Sequence, residues 1–189
     1  MKKRLLLVIE HCEPRLSKWL KLEYHHSGKI WGKNLVFTRV TQKKTQQVLR
    51  TLGRVESRPA KTVFSGKKCL VLDPQATQPF TTQDCKHADA VIVGGLLGYE
   101  IPQGRTKQLI SDSAGFETRH LGPTQLSIDG AVFVVKAISE GLSLEDIEIA
   151  KEIEIVHDNI HSTILPFGYP VIDDVPMVTP GLVEYLVKR

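Results

Sequence analysis

The chain has 189 residues, 41% hydrophobic and 24% charged, with a formal net charge of +4 and three cysteines. Such a length buries roughly 70% of its unfolded surface without a disulfide staple, and Cys12, Cys69 and Cys85 form no CxxC pair, which argues against a disulfide framework or a cysteine zinc site. No apolar run reaches the ~20 residues of a membrane span, and the short apolar core after "MKKR" runs straight into Glu10 and so does not read as a signal peptide; one cytoplasmic domain over residues 1–189 is expected.

Residues 5–9 read as a buried first strand. "EPRLSKWLKLEYHHSG" follows as a helix, with Pro14 in its first turn, Gly28 as its stop, and Leu16, Leu20, Glu23 and Tyr24 on one face. Residues 34–38 form a second strand and 41–53 a polar helix ending at Gly53. Residues 68–74 are a third strand stopped by Pro74. Residues 88–95 are a fourth, whose unbroken apolar run suits a strand covered on both faces. A short helix over 105–110, an extended piece over 115–122, a strongly apolar helix over 124–141, an edge strand over 152–156 and a terminal helix over 180–189 complete the chain. Strands alternating with helices argue an α/β domain with a largely parallel sheet.

Charge is unevenly spread. Nine Lys/Arg between Arg39 and Lys68 face one acid, Glu56, so thirty residues carry +8 and the remainder −4. A basic segment of this density attracts polyanions such as RNA; a merely solvated basic face is the plainer alternative.

Glycine loops are the next signal. "VIVGGLLGYEIPQGRT" ends a strand in GGxxG, but it lacks the GxGxxG that opens a helix in dinucleotide folds and the GK[ST] of a Walker loop. The backbone is opened for a ligand other than a phosphate, or for a simple turn. "LDP" (72–74) and "RHLGPTQLS" (119–127) also follow strands, and ligands of open α/β sheets bind beyond those ends. Thr124 or Ser127 can cap the apolar helix, with Asp129 in its first turns as a capping or dipole-compensating acid. Glu10 and His11 end the first strand, Glu13 opens the next helix, and Glu23 lies on its apolar side; together they suit either bracing or a cationic substrate. His157 and His161 have i, i+4 spacing but sit among turn residues, so no metal is expected. His25–His26 reads as a solvated helix end.

Taken in order, "IEHCEPRLSKWLKLEY", "CLVLDPQA", "VIVGGLLGYEIPQGRTKQL", "RHLGPTQLSIDGA" and "LPFGY" resemble one branch of the SPOUT methyltransferase superfamily. That branch was once described as predicted RNA methyltransferases and contains a fungal enzyme acting on an arginine of a ribosomal protein. The likeness spans nearly the whole chain and is weakest between Thr38 and Lys67. It implies a SPOUT-type, largely parallel sheet flanked by helices, with a C-terminal trefoil knot that general rules of chain connection would not suggest.

The resemblance further implies S-adenosylmethionine as cofactor, held by three loops: Leu72 and Asp73; Gly94, Gly95, Leu97 and Gly98; and Leu121, Gly122, Gln125, Leu126 and Ser127. Direct methyl transfer from a sulfonium needs no metal, only alignment of the two centres. An arginine acceptor adds a demand, because a guanidinium with a pKa above ~12 offers no free lone pair. Carboxylates must orient it and take a proton. Glu10, Glu13 and Glu23 are the candidates for that catalytic role, with His11 and Arg105 as substrate-binding residues. Three functions compete: a protein arginine methyltransferase acting on a ribosomal protein, an RNA methyltransferase acting on ribosomal RNA, and a non-catalytic RNA-binding or ribosome-assembly protein. The chain is expected to be a monomer or a homodimer.

Overall fold

The computed structural model describes residues 5–97, 104–157 and 161–188. Its centre is a sheet of six parallel strands. In spatial order these are Arg54–Val55 (β3), Leu35–Thr38 (β2), Leu6–His11 (β1), Ala90–Gly95 (β5), Cys69–Leu72 (β4) and Glu117–Arg119 (β6). Alternate side chains of the inner strands enter two cores, as the two-residue period of a strand requires. Leu7, Ile9, Val91 and Val93 pack on one face with Leu20 and Tyr24 of the helix Lys18–Trp31 (α1) and with the apolar helix Ile128–Ser139 (α6). Val8, Val71 and Ile92 pack on the other with Ala60 and Phe64, from and just beyond the short helix Ala60–Val63 (α3), and with Ile110. Each large side chain buried in this way contributes about 1.5–3 kcal/mol.

The helix expected after the first strand both starts and ends later. Ser17, not Pro14, begins α1: its hydroxyl accepts from the Leu20 N–H at 3.1 Å. Gly32, at φ 79°, ends it. Gly28 lies inside the helix, where a side chain would meet Leu52 at 3.4 Å, so it serves packing and not termination. α6 begins at Ile128 because Ser127 caps it, the hydroxyl accepting from the Gly130 N–H at 3.2 Å; residues 124–127 belong to the preceding loop. The polar segment 41–53 contributes a shorter helix, Lys43–Leu49 (α2).

Other elements carry little sequence signal. The helix Thr82–His87 (α4) buries no residue and is set by a capping box between Thr81 and Asp84. Ile153–Val156 (β8) is a strand as expected, but it pairs antiparallel with Ser162–Leu165 (β9) away from the main sheet. A small sheet of Ile149–Ala150 (β7), Tyr169–Ile172 (β10) and Val175–Pro176 (β11) stands beside it, and the chain continues into the helix Leu182–Val187 (α7). Among the described residues, no helix is long and apolar enough to cross a membrane.

Two registers position the site. β1 and β5 run in step, placing Glu10 beside Gly94 and His11 beside Gly95. β4 and β6 do the same for Leu72 and Arg119. The carboxyl ends of these strands therefore open on one edge. The segment before β10 reaches the same edge, where the Gly168 N–H donates to the Gln125 carbonyl at 2.7 Å.

Candidate active site

A cleft lies at that edge, between the loops after β4, β5 and β6. Of the residues expected to hold a cofactor, Leu72, Asp73, Gly94, Leu97, Leu121, Gly122, Gln125, Leu126 and Ser127 all line it. The apolar side chains form walls, and the polar groups shape them. Both Asp73 oxygens are already engaged: Oδ1 accepts from the Gln75 N–H at 2.9 Å and Oδ2 from the Ser111 hydroxyl at 2.6 Å. Asp73 thus folds its loop and does not reach out to a ligand, and Ser127 is occupied as the cap of α6. Gly122 stands at φ 96° with nothing within 4 Å of where a side chain would begin, so its backbone faces open space that any side chain would fill. Apolar walls, exposed backbone and a few polar groups suit an adenosine-bearing ligand without phosphates.

Gly95 is a correction. It does not line the cleft. A side chain there would collide with the Tyr24 hydroxyl and lie 2.8 Å from the Glu10 carbonyl oxygen. It is glycine so that β5 can pack against α1. Gly98 falls outside the described residues. Gln75, Gly104, Thr106, Thr124 and Ile128 also line the cleft and had not been singled out as ligand-binding. The tripeptide "GRT" at 104–106 was the available signal for two of them.

The three carboxylates expected to be catalytic all lie near enough to Tyr24 to raise its hydroxyl's pKa, yet each is bonded to a different element. Glu10 is 3% exposed, and its Oε2 accepts from the Thr38 hydroxyl and from the Ala60 N–H at 2.8 Å, tying β1 to β2 and to the start of α3. Glu23 is equally buried. It accepts from Trp19 Nε1 at 2.6 Å and from the Ile128 N–H at 3.0 Å, joining α1 to the first turn of α6. Burial, reinforced by the neighbouring Asp129 carboxylate, pushes the Glu23 carboxyl up to about 8. Glu10 and Glu23 are both nearly closed to solvent and bonded between elements, which fits a brace better than the catalytic role expected of them. Glu13 differs: its Oε1 accepts from the Leu97 N–H at 3.1 Å and from Arg105 Nη1 at 3.0 Å, and both partners line the cleft.

His11 is 7% exposed and its Nδ1 lies 3.0 Å from the Tyr24 hydroxyl. Burial lowers its pKa; Glu13 pulls it upward and Arg39 pushes it further down. It bounds a second, adjacent pocket rather than the first. His26 is not a solvated helix end: its Nδ1 sits 2.7 Å from Asp129 Oδ2, which also accepts from the Thr179 hydroxyl at 2.7 Å. Asp129 is therefore a buried hub rather than a simple dipole-compensating acid. His157 bonds the Thr163 hydroxyl at 2.7 Å across the β8–β9 pair. Eight of the basic segment's nine cations are exposed and only Arg39 is half-buried, while its helices α2 and α3 pack into opposite cores.

The SFM1-like protein arginine N-methyltransferase family matches residues 6–189. The chain belongs to that family. The yeast protein arginine N-methyltransferase SFM1 (Saccharomyces cerevisiae) is 28% identical over 201 residues, covering 96% of this chain and 93% of that one. The structure of yeast SFM1 complexed with SAM superposes with a TM-score of 0.89 at 26% identity, over 98% of this chain and 91% of that one. A Trm10 from Thermococcus kodakaraensis, at 14% identity and TM-score 0.58, covers 75% of this chain and 95% of its own and shares the fold alone. Membership agrees with the SPOUT-type reading of the sequence, and the parallel sheet flanked by helices is the fold that reading implied.

Proposed function

We infer that the chain transfers a methyl group from S-adenosylmethionine to an arginine side chain of a ribosomal protein. The observation that carries the reading is the cleft at the carboxyl ends of β4, β5 and β6, bordered by a carboxylate at Glu13, in a chain of the SFM1-like family. The donor supplies an electrophilic methyl carbon on a sulfonium. The residues of this chain have three tasks. Leu72, Leu97, Leu121 and Leu126 exclude water from the donor, Gly94 and Gly122 admit it close to the backbone, and Glu13 faces the acceptor. As the new N–CH₃ bond forms and the C–S bond breaks, the sulfur becomes a neutral thioether. The acceptor nitrogen then sheds one proton, which the Glu13 carboxylate can receive.

The exposed cations between residues 43 and 68 support docking on the RNA of a ribonucleoprotein, since phosphate contacts dominate such affinity. They equally support the alternative in which RNA is the acceptor. The carboxyl half is, on this reading, threaded as the trefoil knot of SPOUT proteins; the strand order with β5 between β1 and β4, and two loops meeting in one cleft, support it. The test is transfer of labelled methyl from S-adenosylmethionine into a cell extract, scored after protease or nuclease digestion. Label lost with protease and recovered as methylarginine is the expected result. Label lost only with nuclease assigns the acceptor to RNA, and no label from folded protein removes the activity.

A further inference from the structure

A second pocket opens beside the cleft, between residues 11–14 and 39–42. Glu13 lines this pocket, while the two groups bound to its carboxylate, the Leu97 N–H and Arg105 Nη1, line the first. The Glu13–Arg105 pair is thus the partition between the two spaces. Arg105 also donates to the Leu97 carbonyl at 3.4 Å. The Arg105 and Glu13 side chains are 23% and 16% exposed, respectively, within reach of solvent.

Charge decides what this partition can accept. Arg39 is the guanidinium lining the second pocket, as Arg105 is that of the first. Its Nη1 approaches Cys12 Sγ at 3.9 Å, and its backbone is held at φ 60° by bonds from the 39 and 40 amides to the Arg58 and Glu56 carbonyls. With Glu10, whose charge reaches Cys12 as those of Arg39 and Arg105 do, the two carboxylates and two guanidiniums sum to zero. Adding a further guanidinium would leave an unpaired cation in a half-buried place, whereas exchanging it for Arg105 keeps the balance. Geometry favours the same exchange. Among the described residues both donors on Glu13 use Oε1. A planar guanidinium can fork onto both oxygens of a carboxylate, a stronger and better-directed contact than a single N–H.

We propose that the Glu13 carboxylate is the seat of the acceptor guanidinium, that Arg105 holds this seat in the free chain, and that the acceptor arginine displaces Arg105 by way of the pocket between residues 11–14 and 39–42. The proposal rests on arginine being the acceptor. It makes Arg105 a positioning residue that keeps a half-buried carboxylate paired until a substrate arrives. It also places the incoming guanidinium on the wall of the donor cleft.

The exchange is tested with ethylguanidinium as a probe of the arginine head group, titrated calorimetrically at constant ionic strength into full-length protein saturated with S-adenosylhomocysteine. The expected result is weak binding to wild type and at least tenfold tighter binding to Arg105→Ala, with the gain abolished in Arg105→Ala/Glu13→Gln. Arg105→Gln, which keeps more of the side chain's packing, should show the same gain if Arg105→Ala folds poorly. In methyl-transfer kinetics Arg105→Ala should lower KM for the protein substrate more than it changes kcat. Equal probe affinity in wild type and both single variants overturns the exchange, as does a gain that survives Glu13→Gln. Transfer to arginine without that gain removes the exchange and leaves the acceptor assignment standing, whereas transfer to RNA overturns both.

Discussion

Two groups of residues crowd the same edge of the sheet and are built on opposite principles. The loops after β4, β5 and β6 make their cleft largely from backbone and apolar side chains, and their polar residues fold the loops themselves. The acids around β1 and α1 do the reverse. Their side chains carry the interactions, and each reaches a separate element: Glu10 to β2 and α3, Glu13 to the loop after β5, Glu23 to α6. A ligand site can be opened by what a residue lacks, as at Gly122. A brace needs a carboxylate buried between elements and bonded to them, and such a carboxylate has little surface left for a substrate. Glu13 lies between the two cases, because one of its partners is a displaceable side chain.

The sharpest break of this contrast uses two glycines, Gly95 and Gly122. Gly95→Val puts a side chain against the Tyr24 hydroxyl and the Glu10 carbonyl and should cost on the order of 3 kcal/mol by overpacking. A fall in the urea midpoint is the expected readout, and an unchanged midpoint would show that α1 is not packed on β5 as described. Gly122→Val meets no protein atom, but it forces a β-branched residue to φ 96° and fills the cleft. Here cofactor affinity should fall at least 100-fold while the circular dichroism spectrum is kept; calorimetry showing wild-type affinity for S-adenosylhomocysteine would move the ligand elsewhere.

Glu10→Gln sharpens the other half. As a brace, Glu10 gives up a charge-assisted contact on substitution, a loss of about 1–2 kcal/mol in stability, but turnover of the folded fraction should stay within a few-fold. A 100-fold fall in single-turnover rate with stability intact would return Glu10 to the catalytic set.

Glu23 adds a pH signature. Its folded pKa, raised to about 8 by burial and by Asp129, lies above its ordinary 4.5, so the folded state holds a proton that the unfolded chain has released. The contribution of Glu23 to stability should therefore be full below about pH 5 and be lost as pH rises toward 8. The groups facing Glu23 are Trp19 and Tyr24 on α1, Asp129 on α6 with its partner His26, and Tyr169 on β10. Glu23→Gln should flatten that decline in urea titrations run across the range; an equally steep fall in the variant would assign it to another group.

The smallest effect concerns the exposed cations of the basic segment. Charge reversal at Lys43, Lys44, Arg50 and Arg54 should flatten the salt dependence of RNA binding without altering cofactor affinity. An unchanged slope would leave these cations merely solvated.

What the sequence revealed follows the same division. The cleft loops were legible because their signature is local: glycine, proline and small polar residues directly after apolar runs, in motifs that also resemble a known family. Strands β1, β2, β4 and β5 were legible for the same reason, as continuous buried runs. The roles of the acids were not, since Glu10 meets its partners 28 and 50 residues away and Glu23 meets Ile128 across 105. Nothing near Glu10 or Glu23 in the chain distinguishes a brace from a catalytic group. Gly94 and Gly95 look alike in sequence and face opposite sides of the sheet because successive strand residues must. α4 and the two-residue strands β3, β7 and β11 escaped because elements so short or so polar carry no periodicity to read.

The most direct measurement is a crystal structure of the chain with S-adenosylhomocysteine. The ligand should lie in the cleft between Leu72, Gly94 and Gly122, with the Glu13 carboxylate on the wall nearest its sulfur and Glu10 and Glu23 still bound to their present partners. A ligand held outside those three loops, or Glu10 or Glu23 turned to face it in place of Glu13, would contradict the site described.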